Sequence, residues 1–377
     1  MSEPRLSWRH VMAWRARRHH LDERVSKRKA MDVVGEVDGL HAQLRSSAEL
    51  SLWARVDKLK RNDVEKWLWT DRRLVKTWAM RGTLHLLRSD EYPLWQAGLG
   101  TYEHYLKPAW FRGFGVTRAE LDRLIASISR ALDGRTLTRD ELAARVAKIT
   151  KSDALAERLR GSWGAMLKPA SFQGHLCFGP NKGRNVTFAR PDQWLGLSES
   201  DAIDPTRALE EITRRFLSAY GPATREDFAR WWSVSPATGG RLISGLGGEV
   251  APAGLDGGKY WALTESLDEI RAASPTRSVR LLPGFDPYVI GSTIHAAKLM
   301  TGDFKARVHR PQGWVSPVLL VDGRIDGVWR HDRKGKRLVV DIEPFARVPK
   351  WVVRGAELEA ESLASFMNAP LELKWLG

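Results

Sequence analysis

His41 and Gln43 are separated by a single residue within Val37–Arg55, VDGLHAQLRSSAELSLWAR, and bring two compact polar groups into an otherwise apolar approach to a helix. If Leu40 to Leu44 is extended, alternate residues point the same way. The imidazole and the amide then project side by side while Leu40, Ala42 and Leu44 face the protein. Ser46 or Ser47 is expected to cap the helix that follows, with Glu49 at the capping-box position counted from Ser46 and Leu50, Trp53 and Ala54 at helical spacing. The pair would precede a helix N-terminus, where backbone N–H groups and the macrodipole favour phosphate or developing negative charge. A hydrogen-bonded turn without chemistry uses the same residues, so the rest of the chain has to decide between the two.

Most other chemistries lack their residues. Cys177 is the single cysteine, which excludes an intrachain disulfide, a CxxC redox pair and a thiolate zinc site. There is no GxxxxGK[ST], no GxGxxG after a strand, no HExxH and no GxSxG. His19 and His20 are adjacent on a basic helix and cannot both aim at one metal, so they read as solvated or phosphate-facing. His85 sits in a strand and reads as a hydrogen-bonded structural residue. Asp286, Pro287 and Tyr288 read as a rigid turn at a strand end. No metal or cofactor is expected.

Charge is the strongest bulk signal: 60 Lys and Arg stand against 45 Asp and Glu in 377 residues, a net +15 with a pI near 10.0. Such a field argues for a polyanionic partner, and nucleic acid is the commonest in a cytoplasm. The charge is clumped, with nine bases against three acids from Met1 to Ala30 and six against two from Arg324 to Arg337. A solvated basic surface without a specific partner is the plainer alternative. With no signal-peptide pattern and no apolar run near the ~20 residues that span a bilayer, a soluble cytoplasmic protein is expected.

The elements that must position the polar pair repeat along the chain. A basic amphipathic helix is expected over Leu6 to Arg24, a short one over Lys27 to Glu36, another over Asp63 to Arg73, and a hairpin over Lys76 to Arg88 with Arg81-Gly82 at its turn. Helical segments followed by a hairpin have the layout of a winged helix. The layout returns with helices from Thr117 and Thr138, each capped by threonine with Glu three residues on, a helix from Asp153 to Leu167 and a hairpin over His175 to Ala189. It returns again from Asp204, where TREDFARW at Thr224 echoes TRDELAAR at Thr138. After Pro275 the pattern becomes β-rich, interrupted by one helix over Gly355 to Met367. The expected class is α+β, with three tandem winged-helix units at 1–112, 113–200 and 201–274 and a C-terminal β-rich domain at 275–377. Arg81, Lys182, Arg184, Arg333, Lys334 and Lys336 fall at turns or hairpin tips suited to phosphate or minor-groove contact, and Arg45 stands two residues after Gln43.

The order of GLHAQLRSSAELSLWARV, TWAMRGTLHLLR, TREDFARWW and LLPGFDPYVIG along nearly the whole chain resembles the AlkZ/YcaQ-type winged-helix DNA glycosylases. The resemblance implies three winged helices and a C-terminal β-barrel-like domain around a concave basic cleft. It also implies hydrolysis of the N-glycosidic bond of alkylated purines in duplex DNA, including bulky N7-guanine adducts and interstrand crosslinks from genotoxic natural products. The implied role is repair or self-resistance.

At the opening position this family carries Gln-x-Gln or Gln-x-Asp, whereas this chain has His41-Ala42-Gln43; Gln43 matches the second glutamine and His41 departs from the first. Glutamine cannot deprotonate water and can only orient it, which suffices when an N7-alkylated purine is already a cationic leaving group. Histidine, with a reference pKa of ~6.5, can orient water and also accept its proton. The resemblance therefore assigns Gln43 to positioning water at C1′, and His41 to a second positioning group or general base. No lysine stands beside them for Schiff-base chemistry, so a monofunctional enzyme is expected; a monomer is expected as well. A winged-helix regulator that binds DNA without catalysis is the alternative, and a protein-interaction scaffold the third.

Overall fold

Side-chain caps set where many of the helices begin. The computed structural model describes residues 6–162, 164–300 and 302–376, so Glu3 and Arg5 of the basic N-terminal stretch lie outside it. Thr117 with Glu120 and Thr138 with Glu141 form the reciprocal capping boxes that the sequence predicts, and Thr224 with Asp227 forms a third. The first helix is shorter than expected: it runs Trp8–Arg18, opened by a box between Ser7 and His10. The chain folds into two compact units, Met1–Asp63 with Thr213–Gly377, and Val64–Ile212.

In the Val64–Ile212 unit, strands Leu74–Trp78 and Leu84–Arg88 form an antiparallel hairpin whose turn carries Arg81 at φ 59° and Gly82 at φ 64°. Helices Arg118–Ala131, Arg139–Thr150 and Asp153–Gly161 precede a second hairpin, Cys177–Lys182 with Asn185–Ala189, joined along the latter strand by Leu137–Thr138. Trp78 packs on Phe178 with ring centroids 4.8 Å apart. Gly164 leaves the space that this indole fills, since a Cβ there would lie 2.9 Å from it.

The other unit contains the polar pair, helices Arg225–Trp232 and Pro236–Gly245, and the antiparallel hairpin Val250–Leu255 with Gly258–Leu263. Its largest sheet has five strands, Leu371–Trp375, Arg337–Pro344, Arg324–Lys334, Val318–Val321 and Val279–Leu282, in that spatial order. This corrects the barrel-like expectation: the sheet is open, and Val279–Leu282 at one edge does not pair with Leu371–Trp375 at the other. A helix takes over the job of closure. Lys350–Met367 packs against the Val279–Leu282 strand, and Gly355 permits the approach because a Cβ there would meet Val279 at 2.7 Å. The edge is thus covered by a helix, a common protection of unpaired strands. The helix starts five residues before the expected Gly355, immediately after Pro349, which bears no amide hydrogen to leave unpaired.

Candidate functional site

A tight helix exit delivers His41. Helix Ala30–Glu36 ends with Asp38 at φ 59° and Gly39 at φ 85°; the Asp38 amide donates to Gly35 O at 3.0 Å and the Gly39 amide to Val34 O at 2.8 Å. This is the paired hydrogen-bond pattern of a Schellman turn, here with aspartate at the left-handed position. The Tyr220 hydroxyl fixes the same exit by donating to Val37 O at 3.0 Å.

The pair that follows is asymmetric. Leu40 and Ala42 are fully buried as expected, but the strand covers only Leu40–His41 before the chain bends at Gln43. His41 is 6% exposed, Gln43 is open to solvent, and Leu44, expected inside, is 41% exposed. The helix runs Arg45–Trp53 from Leu44 without a side-chain cap. Ser46 and Ser47 fall inside its first turn, and Glu49 pairs with Arg45 at 3.0 Å instead of closing a box.

The imidazole of His41 stacks on Phe285, with centroids 4.9 Å apart and planes 13° apart, and Phe285 in turn meets Trp314 at 5.3 Å and 52°. Three rings thus lead from a buried imidazole to a half-exposed indole. Phe285 has φ 62°, a left-handed conformation uncommon for a bulky side chain. Its neighbours hold it there. Asp286 takes a two-pronged contact from Arg55, at 2.7 and 2.8 Å, with both side chains excluded from solvent, and also accepts from the Tyr288 amide at 3.0 Å. Arg55 donates to Ser51 O at 2.8 Å within the helix that follows the polar pair. On the other side, Gly284 allows a close approach of Val315, whose carbonyl oxygen would lie 2.7 Å from a Cβ at that position.

The structure places Asp286 as expected, at a turn after a strand, where it also caps the short helix Pro287–Gly291. Phe285 and Trp314 are absent from the sequence expectation. The one available hint was the odd composition of Gly284-Phe285-Asp286-Pro287, a glycine and an acid around an aromatic ring at the end of an apolar strand.

Other residues separate into distinct surroundings. His85 is buried, and its Nδ1 lies 3.0 Å from Thr83 O, a structural hydrogen bond. His19 overturns the solvated expectation: it has no exposed surface and its Nε2 contacts Ala219 O at 3.1 Å, because the first helix buries this end. His20 instead pairs with Glu36. Arg333, Lys334 and Lys336 share one exposed hairpin tip, and Lys182 and Arg184 another; Lys182 there binds Glu141 at 2.6 Å. Arg81 is half-buried at its own turn. Among the described residues no cluster of three or more His, Cys, Asp or Glu is arranged to hold a metal, and no helix is long and apolar enough to cross a membrane.

Comparison with known proteins agrees across nearly the whole length. A family model described as AlkZ-like DNA glycosylase matches residues 34–366. An interstrand DNA cross-link repair glycosylase from Streptomyces sahachiroi is 38% identical over 361 residues, 95% of this chain and 96% of its own. The solved structure of the Streptomyces sahachiroi DNA glycosylase AlkZ matches 99% of this chain and 100% of its own, with a TM-score of 0.89 at 37% identity.

Proposed function

Because the chain belongs to the AlkZ-like DNA glycosylase family, and is on that footing a DNA glycosylase, we propose that it hydrolyses the N-glycosidic bond of N7-alkylated purines in duplex DNA, with Gln43 and His41 serving the attacking water. The observation that carries the assignment is the contrast between the two side chains: the imidazole is held in a fixed plane against Phe285, whereas the amide two residues on is open to solvent. Gln43 is reachable by substrate and orients the water toward C1′. His41, two residues earlier and fixed against Phe285, accepts the water proton as the C–O bond forms.

The C1′–N9 bond breaks with its electron pair passing into the purine. That pair cancels the positive charge brought by N7 alkylation, so the base departs neutral without a general acid. The arrangement needs no cofactor. Water supplies the nucleophile and the lesion supplies its own leaving-group activation.

The sequential helix and hairpin segments at 1–112, 113–200 and 201–274 act as winged-helix units, with 275–377 as the C-terminal module, around a concave basic DNA cleft. The alternating order of helices and hairpins and the +15 charge support this reading. Arg45, Arg81, Lys182, Arg184, Arg333, Lys334 and Lys336 contact the phosphate backbone in it. The similar Streptomyces protein, described as an interstrand DNA cross-link repair glycosylase, supports crosslinked adducts as substrates; bulky adducts and a self-resistance role extend the same reading. The enzyme works as a cytoplasmic monomer.

The deciding experiment incubates DNA carrying simple or bulky N7-guanine adducts with the protein and identifies the released base by mass. Undiminished release by a variant with both His41→Ala and Gln43→Ala removes the assignment. Turnover of neither adduct removes the N7 substrate.

A further inference from the structure

Trp314 is the most exposed of the large apolar side chains among the described residues, at 49%, and the indole is two ring contacts from His41. An aromatic ring of this size normally buries its faces, and its exposure at the end of a stacked array that begins at His41 calls for an occupant. The loop that carries it is built to hold it still. His309 bridges Val315, the Arg310 amide donates to Trp314 O at 2.8 Å, and the Ser316 amide donates to Val308 O at 2.9 Å. Gln312 at φ 60° and Gly313 at φ 76° make the tight return, while Val308 and Val315 anchor its base in the core. Below the indole, the Gly284 contact with the Val315 carbonyl joins this loop to the turn that sets Phe285.

We propose that Trp314 is the stacking partner of the target purine: its free face takes the place of a neighbouring base and holds the N7-alkylated ring beside His41 and Gln43. The inference rests on the N7-purine reading above. Three observations favour a nucleobase as occupant. The ladder from His41 through Phe285 ends in this indole, so a ring resting on it extends the same aromatic array that sets the plane of His41. Arg310 is exposed on the same loop and suits the phosphate that a base carries with it. An electron-rich indole face attracts a ring bearing a positive charge, which an N7-alkylated purine has and an intact purine lacks. Discrimination for the lesion therefore resides partly in a residue that performs no proton transfer.

The test uses duplex DNA with N7-methylguanine beside 2-aminopurine, whose fluorescence rises when stacking with its neighbour is lost. Trp314→Ala, Trp314→Phe and the His41→Ala with Gln43→Ala variant are compared with the unaltered protein. Expected are a fall of about tenfold to a hundredfold in single-turnover release for Trp314→Ala, most of it recovered in Trp314→Phe, and loss of the fluorescence rise in Trp314→Ala alone. The rise persists in the His41→Ala with Gln43→Ala variant, because stacking does not require the water. The inference is overturned if Trp314→Ala keeps the full rate and signal, if Trp314→Phe fails as badly with a lowered thermal midpoint, or if only bulky adducts are affected, which would make the adduct the occupant. Failure of the unaltered protein to release N7-methylguanine counts instead against the substrate reading, while the fluorescence still reports on stacking.

Discussion

Arg55 and Asp286, 231 residues apart in the chain, form a solvent-excluded ion pair that ties the end of the helix after Gln43 to the turn carrying Phe285. Two charges removed from water are stable only when each satisfies the other. Asp286→Ala strands a buried guanidinium and is expected to cost about 3–5 kcal/mol of unfolding free energy in urea titrations. Replacing both partners, Arg55→Met with Asp286→Leu, recovers most of that stability. It does not restore base release, since Phe285 loses the carboxylate that fixes its turn; stability and activity part company in this one comparison.

His41→Gln recreates the Gln-x-Gln pattern and separates positioning from proton acceptance. Gln43→Ala is expected to lower single-turnover release by about a hundredfold or more, the scale of a lost group acting on the water. His41→Gln lowers it less than His41→Ala does, because the amide can still orient water but cannot accept its proton. Equal loss in the two His41 variants would mean that positioning by a polar group at this place contributes nothing.

Gly284→Ala places a methyl group 2.7 Å from the Val315 carbonyl oxygen, a separation at which the backbone has to move. The expected cost is about 1–3 kcal/mol, read as a lower thermal midpoint. Release is expected to fall further than stability explains, because the same displacement moves Phe285 and the Trp314 loop.

Burial, followed by the nearby Arg55 charge, holds the His19 imidazole well below its ordinary range and keeps it neutral in the folded chain. Once unfolded it titrates near ~6.5, so below that pH the unfolded chain binds the extra proton. Its contribution to stability is complete above pH ~6.5 and declines on acidification, by up to about 1.4 kcal/mol per pH unit. Thermal midpoints measured from pH 8 to pH 5 are expected to fall, and His19→Gln is expected to flatten the fall.

Arg333, Lys334 and Lys336 are exposed at the tip of one long hairpin. If each neutralises a phosphate, removing them together lowers the slope of log affinity against log salt by about 0.9 per lost contact. Lys182→Ala is expected to change the slope less, because its ammonium already binds Glu141. An unchanged slope in the triple variant would take this hairpin tip out of the interface.

Helix starts were legible because threonine and the acid three residues on satisfy backbone amides locally, and Thr117, Thr138 and Thr224 behave as their neighbours dictate. Ser46 and Glu49 present the same pattern and fail: Glu49 is drawn to Arg45, and the helix starts before the serine. His41 and Gln43 were legible as polar residues at the right place, but their unequal exposure was not, since it depends on a bend at Gln43 and a ring from position 285. The open sheet was hidden for a similar reason. Alternation marks strands, while closure is decided by a glycine that lets a helix reach the edge.

The unit containing His41 is interrupted by Val64–Ile212, so synthesis makes the imidazole long before Phe285 and Trp314 exist. At translation rates of about 5–20 residues per second, the wait from Arg55 to Asp286 is on the order of ten to fifty seconds. The intervening segment is complete only once Ile212 has been added, and until Phe285 follows the nascent chain holds His41 without the ring that sets its plane. A prematurely terminated product that ends before Phe285 therefore carries His41 and Gln43 without the aromatic partner against which the imidazole stacks in the complete chain.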